Sequence, residues 1–314
     1  MTVLRSWPDL GPATMPLEQF ITKRFNEGSQ RLIEHANAII GEYMADGYVL
    51  TLRQLYYQFV ARGLLPNRQK EYKRLGSVIN DARLAGLIDW NAIEDRVRSL
   101  ETIPHWDSPA DILDSCANSF HFDRWRTQRT RVEVWVEKDA LAGVVERACE
   151  ARHVPYFACR GYTSQSAQWR ASKRFARYLD EGQEVVVLHL GDHDPSGWDM
   201  TRDNGDRLDL FLESLGGSIE FRRIALNTDQ VKKYNPPPNP VKLTDSRSPD
   251  YKKRFGDQSW ELDALDPKVI AALIHKNVEA LVDEDAYDEM VAKEDKVRSR
   301  LSKLADQASK WRMA

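Results

Sequence analysis

Cysteine is scarce in this chain. Its three cysteines, Cys116, Cys149 and Cys159, show no Cys-x-x-Cys spacing, so neither a disulfide framework nor a zinc site is indicated and a reducing compartment fits. Long apolar runs are missing as well. No stretch of about 18 or more apolar residues occurs, and the first residues lack the charged-then-apolar layout of a secretory signal. An excess of one charge is also absent: 45 Lys and Arg stand against 48 Asp and Glu, a net charge of −3. That balance excludes a wholly basic nucleic-acid coat but leaves local basic patches open. Neither an internal repeat nor a low-complexity tract is found. The expectation is a soluble, cytoplasmic protein without membrane contact, and its 314 residues suffice for two cores.

What is present centres on His189-Leu-Gly-Asp-His-Asp-Pro-Ser-Gly197. The apolar run 184–190 before it predicts a strand buried on both faces, and the spacing over 198–215 predicts a helix. Asp192 and Asp194 thus fall in a strand-to-helix turn at the carboxyl end of a parallel strand, where open α/β sheets place ligand sites. A second such turn follows the apolar run 132–136, as Glu137-Lys138-Asp139. With the two strands as neighbours, Glu137 faces Asp192 and Asp194. Three clustered carboxylates repel one another unless a cation sits among them, and hard oxygen ligands suit Mg²⁺. Each piece also has a plainer reading. Asp194-Pro195 fits a helix start, with Asp as N-cap and Pro at the first helical position, and Glu137 fits a cap of its own helix.

Strands over 132–136, 154–159, 184–190 and 218–226 alternate with helices over 140–151, 164–179 and 198–215. That order predicts a four-stranded parallel sheet with right-handed crossovers, within a core spanning 131–226. Residues 1–15 read as an irregular lead-in and 16–103 as a helical domain. In it, Thr51 caps a helix that Gly63 closes, with Leu52, Leu55, Tyr56 and Phe59 as the buried stripe. Tyr57 lies about 100° round from Tyr56, on the face of Arg53, and is expected to be a partly exposed phenol beside a fixed positive charge. A second helix, over about 70–87, presents Lys70, Lys73, Arg74, Ser77, Asn80 and Arg83 outward. Helix, turn and basic helix fit a helix-turn-helix or winged-helix unit seated in the major groove of double-stranded DNA, or an ordinary hairpin with a solvated basic face. Residues 104–130 read as a linker. The segment 227–259, with Pro236, Pro237, Pro238 and Pro240 among many bases, reads as a long loop that grips a polyanion or is merely solvated. The C-terminal helices complete 227–314, with Val297, Leu301, Leu304 and Trp311 as the last apolar stripe.

These motifs resemble a known family. Glu137 after one strand and Asp192-His193-Asp194 after a later one resemble a Toprim domain. Leu52-Arg53-Gln54-Leu55-Tyr56-Tyr57 resembles the tyrosine motif of the A subunit of type IIB DNA topoisomerases (topoisomerase VI) and their meiotic double-strand-break relatives. The order, winged helix before Toprim, matches as well. The resemblance spans roughly residues 45–265 and is greatest to stand-alone "mini-A" forms of phages and plasmids. It implies that Tyr57 attacks a DNA phosphodiester and becomes joined to the 5′ end. Arg53 would assist, and Glu137, Asp192 and Asp194 would hold Mg²⁺, with Glu137 as an alternative general acid or base. It further implies a homodimer in which each tyrosine meets the other subunit's metal site, and a separate ATPase B-type subunit for strand passage. The chain departs from the family at Thr163-Ser164, where Pro-Asp is usual. A hydrolytic Toprim nuclease that makes no covalent use of Tyr57 is one alternative. A non-catalytic DNA-binding or recombination accessory protein is another.

Overall fold

The computed structural model describes residues 17–93, 103–213, 216–242 and 244–311. The lead-in expected over 1–15 and the helix end expected at Leu215 lie outside the described residues. In chain order the elements begin with helices α1 (Glu27–Ala45), α2 (Leu52–Ala61), α3 (Gln69–Leu84) and α4 (Pro109–Ser119). Next come β1 (Thr130–Val136), α5 (Ala142–Glu150), β2 (Tyr156–Ala158), α6 (Gln165–Asp180), β3 (Glu184–Leu190), α7 (Pro195–Glu213) and β4 (Glu220–Ala225). The last are α8 (Thr228–Tyr234), β5 (Asn239–Pro240), α9 (Ser248–Phe255), β6 (Gln258–Ser259), α10 (Pro267–Glu279) and α11 (Glu284–Ala308). They divide into two compact units. Among the described residues, no helix is long and apolar enough to cross a membrane.

The larger unit holds the described residues of 15–97 and 132–280. Its centre is a four-stranded parallel sheet in the order β2-β1-β3-β4, so the two strands that end in acidic turns are neighbours. All seven residues of β1 and six of the seven of β3 are buried, as apolar runs covered on both faces require. Phe175 of α6 and Leu208 and Leu212 of α7 close one face over Trp135, Val185 and Val187. Helix α10 packs against α5 and β4.

Helices α1, α2 and α3 share a second core, in which Leu32, Ala36 and Ile39 meet Leu55, Phe59, Leu75 and Ile79. Thr51 and Gln54 form a reciprocal capping box at the start of α2, which satisfies two otherwise unpaired backbone donors. Gly63 beyond its end has φ +67°, a left-handed conformation that glycine adopts without side-chain strain. Around these helices the described residues form only isolated bridges, Gln19 with Ala85 and Leu50 with Ile93, and no paired strands of a wing.

The segment 227–259 is not a structureless loop. It contains α8, the two-stranded β5–β6 pairing and α9. Tyr251 and Phe255, one turn apart on α9, pack with His193, Trp198 and Trp260 at ring separations of 4.8–5.7 Å. This apolar anchor offsets the conformational cost of ordering a polar, proline-rich segment.

In the smaller unit, residues 104–130 carry helix α4 rather than a plain linker. Pro109 ends nothing: it stands at the first turn behind the Ser108 cap, where a missing N–H costs no bond. Helix α4 packs against α11. The face that α11 buries is Tyr287, Met290, Glu294, Ala305 and Ala308. The stripe expected from its sequence is wrong in part, since Leu304 and Trp311 are 48% and 62% exposed. Its polar member is held by Arg124 Nη2 at 2.6 Å, His121 Nδ1 at 2.9 Å and the Phe122 amide at 2.8 Å. Burial raises the Glu294 pKa, but these partners outweigh it and bring the carboxyl down to about 2.

Candidate active site

The site is built where the turn after β3 meets the chain after β6. His193 and Trp260 exchange backbone hydrogen bonds of 2.8 and 2.9 Å. This bridge lays residues 260–263 beside the Asp192-His193-Asp194 turn. The Asp192 Oδ1 atom accepts the Leu262 amide at 2.8 Å, which fixes the next turn of chain. Ala264 enters the core of α1–α3, and so Glu261 and Asp263 are brought against α2.

Two cations converge there. Lys138 Nζ lies 2.8 Å from Asp192 Oδ2, 2.9 Å from Glu261 Oε2 and 3.1 Å from Asp263 Oδ1. Arg53 pairs through Nη2 with Glu261 and through Nε with Asp263 at 2.6 Å. Its guanidinium carbon is 5.9 Å from the centre of the Tyr57 ring. The Asp263 and Glu261 carboxylates lie close enough to the Tyr57 phenol to raise its proton affinity.

Tyr57 is therefore buried, at 4% exposure, rather than partly exposed. Helical position alone put it on the Arg53 face; the segment that covers that face arrives from two hundred residues later in the chain. Its ring is not sealed into the core. Tyr57 lines a cavity of about 750 Å³ together with Arg53, Tyr72, Asp194, Trp260 and Glu261. Tyr56 has the structural role expected of it, with its hydroxyl accepting the Arg68 amide at 2.8 Å and facing the Pro66 carbonyl at 3.2 Å.

The acidic turns are arranged in detail by the fold. Glu137 Oε2 accepts the Asp192 amide at 2.9 Å. Asp194 Oδ1 accepts the Gly197 amide at 2.6 Å and the Ser196 hydroxyl at 2.9 Å, so it does cap α7. Gly197 is required by this turn, since a Cβ there would stand 2.2 Å from the Asp192 carbonyl oxygen. Beneath the turn, Arg223 Nη2 donates to the carbonyls of Gly191, Asp192 and Leu226 at 2.6–3.2 Å.

Burial governs the proton affinities. It raises Tyr57, with Asp263 and Glu261 adding to the shift and Arg53 opposing it. Burial likewise pushes Asp192 up to about 8 against the pull of Lys138, and raises Glu137 and Asp263. Glu261 differs: the lysine and arginine beside it outweigh its burial and hold it down to about 2. It is thus the firmly ionised carboxylate next to the phenol.

The fit of Mg²⁺ to these residues is partial. Among the described residues, Glu137, Asp192 and Asp194 do not each bring an oxygen within 4.8 Å of the others'. Asp192 spends both oxygens, one on the Leu262 amide and one on Lys138. Glu137 and Asp194 each spend one oxygen on the fold, and the other has no hydrogen bond among the described residues. Two carboxylates plus phosphate and water is a usual Mg²⁺ set, and Glu137 and Asp194 each keep one hard oxygen donor of the kind such a set uses. Lys138 takes the third carboxylate, Asp192, as its ion-pair partner.

On the outer face of α3, Lys70, Lys73, Arg74, Ser77 and Asn80 are exposed as expected. Arg83 is not available to a ligand in the same way, because it bonds the Trp90 carbonyl at 2.6 Å and lies 4.6 Å over the Trp90 ring. The residues that sequence reasoning missed are Lys138 as an internal cation, Glu261 and Asp263. A signal was present: Glu261-Leu262-Asp263 repeats the one-residue spacing of Asp192-His193-Asp194. Comparison of the chain with family models, with curated proteins and with solved structures gives no match.

Proposed function

We propose that the chain is a Mg²⁺-dependent DNA-cleaving transesterase resembling the A subunit of type IIB topoisomerases, with the Tyr57 phenol as nucleophile. The observation that carries this reading is one cavity lined by Tyr57, Arg53 and Asp194, where nucleophile, fixed cation and a metal-competent carboxylate meet within a single chain. In the cleavage step the Tyr57 Oη–P bond forms as the P–O3′ bond breaks, which leaves the 5′ phosphate on the protein. The phenolic proton passes to solvent water, since Glu261 held down to about 2 is too weak a base to keep it, and the departing 3′ oxygen takes a proton from water. Arg53 steadies the charge gathering on the phosphate. A phosphate entering the cavity competes with Glu261 and Asp263 for that guanidinium. Mg²⁺ held by Glu137 and Asp194 would supply positioning and charge neutralisation at the phosphate; Asp192 would join them only on leaving Lys138.

In this reading the sheet and its acidic rim are a Toprim domain, and α1–α3 are the helix-turn-helix part of a winged-helix domain. Lys70, Lys73, Arg74, Ser77 and Asn80 would then lie along double-stranded DNA. A homodimer would supply two such sites and so cut both strands, and strand passage would need a separate ATPase subunit. The burial of Tyr57 favours a second reading, in which the same rim hydrolyses DNA and the phenol is structural. The two separate on cutting assays with Mg²⁺. Tyr57→Phe and Asp194→Asn should each abolish cutting under the first reading, whereas cutting that survives Tyr57→Phe but not Asp194→Asn selects the second.

A further inference from the structure

Helix α6, which the reading above does not use, carries Arg170, Lys173, Arg174 and Arg177 against a single acid, Asp180. Arg174 turns inward to Glu133, with Nε 2.6 Å from Oε1. The other three stay in solvent with Trp169, whose side chain is 49% exposed. Residues 169, 170, 173 and 177 share one face, and each step from Arg170 to Lys173 to Arg177 is about one helical turn, or roughly 5 Å. Among the described residues, none of these three cations has an ion pair.

Several other helical arginines are neutralised within their own helices, as with Arg74 and Glu71, Arg202 with Asp199 and Asp206, and Arg207 with Asp203. The arginines of the last two sets lie on α7, which packs beside α6, and the acids they hold, Asp199, Asp203 and Asp206, are spent there. In a chain of net charge −3, α6 thus keeps an unneutralised basic stripe among the described residues. An exposed indole at its head, 5.8 Å from Lys173 Nζ, gives that stripe a flat aromatic face. A row of cations would serve any phosphate backbone, but an exposed ring is of use to an unpaired base, which stacks on it regardless of sequence.

We propose that the Trp169, Arg170, Lys173 and Arg177 stripe of α6 is a docking surface for single-stranded nucleic acid. The cations follow the phosphates, and Trp169 takes one base. This surface is separate from the Tyr57 cavity and does not depend on chemistry there.

The test is fluorescence anisotropy of labelled (dT)15 with the full chain, in EDTA so that no metal-dependent cutting intervenes, over a salt series from about 50 to 200 mM. The triple variant Arg170→Gln, Lys173→Gln, Arg177→Gln should lower affinity at least about tenfold. It should also reduce the slope of log K against log salt by about 2, as expected for three lost contacts to a single strand. Trp169→Ala should weaken binding about tenfold with the slope unchanged. All four positions are on the surface, and unchanged melting curves verify folding. Wild-type binding that either variant leaves intact overturns the proposal. So does a triple-variant loss as large on a 15-base-pair duplex as on (dT)15, which would make the stripe a duplex contact. Failure here leaves the Tyr57 reading standing, because that reading is scored by cutting.

Discussion

Acidification should weaken the larger unit through one histidine. His189 lies on β3 with no exposed surface. Its Nδ1 is 3.0 Å from the Thr201 hydroxyl, and its Nε2 has no partner. Burial, reinforced by the Arg223 charge, lowers its pKa from 6.5 to about 3. In the unfolded chain the imidazole regains its ordinary affinity, so between those two values the unfolded state binds the extra proton. Stability must therefore fall as pH drops through 6.5 and must level off below about 3. At pH 5 the loss from this group is about 2 kcal/mol, and over the whole interval it approaches about 5 kcal/mol. His189→Gln keeps a polar atom for Thr201 and removes the titration. Urea denaturation of both proteins at pH 7.5 and pH 5.0, followed by tryptophan fluorescence, isolates the term. The stability difference between them should move by about 2 kcal/mol in favour of the variant on acidification. A difference constant to within about 0.5 kcal/mol would refute the assignment of a buried neutral imidazole.

Two further outcomes concern the site. Lys138→Met removes the ammonium from among Asp192, Glu261 and Asp263 and should cost about 3–5 kcal/mol in denaturation at pH 8, whereas a loss below about 1 kcal/mol would mean the carboxylates do not depend on it. Arg53→Lys keeps the charge but loses the two-pronged grip on Glu261 and Asp263. It should slow DNA cutting about 100-fold with little change in DNA affinity, and a purely binding defect would contradict the role proposed for it at the phosphate.

The sheet was readable because its two central strands are buried on both faces and show it as continuous apolar runs, each followed at once by acids. That local pattern put acids at the ends of two strands, and the condition that those strands be neighbours is met by the order β2-β1-β3-β4. The capped α2 and the structural place of Tyr56 followed from helical spacing. What escaped depends on contacts distant in sequence. The His193–Trp260 bridge swings Glu261 and Asp263 onto Arg53, and no period within α2 could announce that Tyr57 would be covered. Lys138 was read only as the middle of an acidic turn; its role as a cation shared by three carboxylates exists only once the chain after β6 has docked. The proline-rich segment misled because its order comes from Tyr251 and Phe255 packing on residues of an earlier turn. Asp194 has the plainer role offered for it, as a helix cap through one oxygen, and it also lines the cavity.

The central claim is that the Tyr57 phenol makes a bond to DNA. Incubation with Mg²⁺ and duplex DNA, denaturation, nuclease trimming and mass measurement of the peptides tests it most directly. The account predicts a nucleotide-sized mass increase on the peptide bearing Tyr57, attached through a 5′ phosphate and absent from Tyr57→Phe. Cut DNA with every peptide at its unmodified mass, or an adduct that persists in Tyr57→Phe, would contradict it.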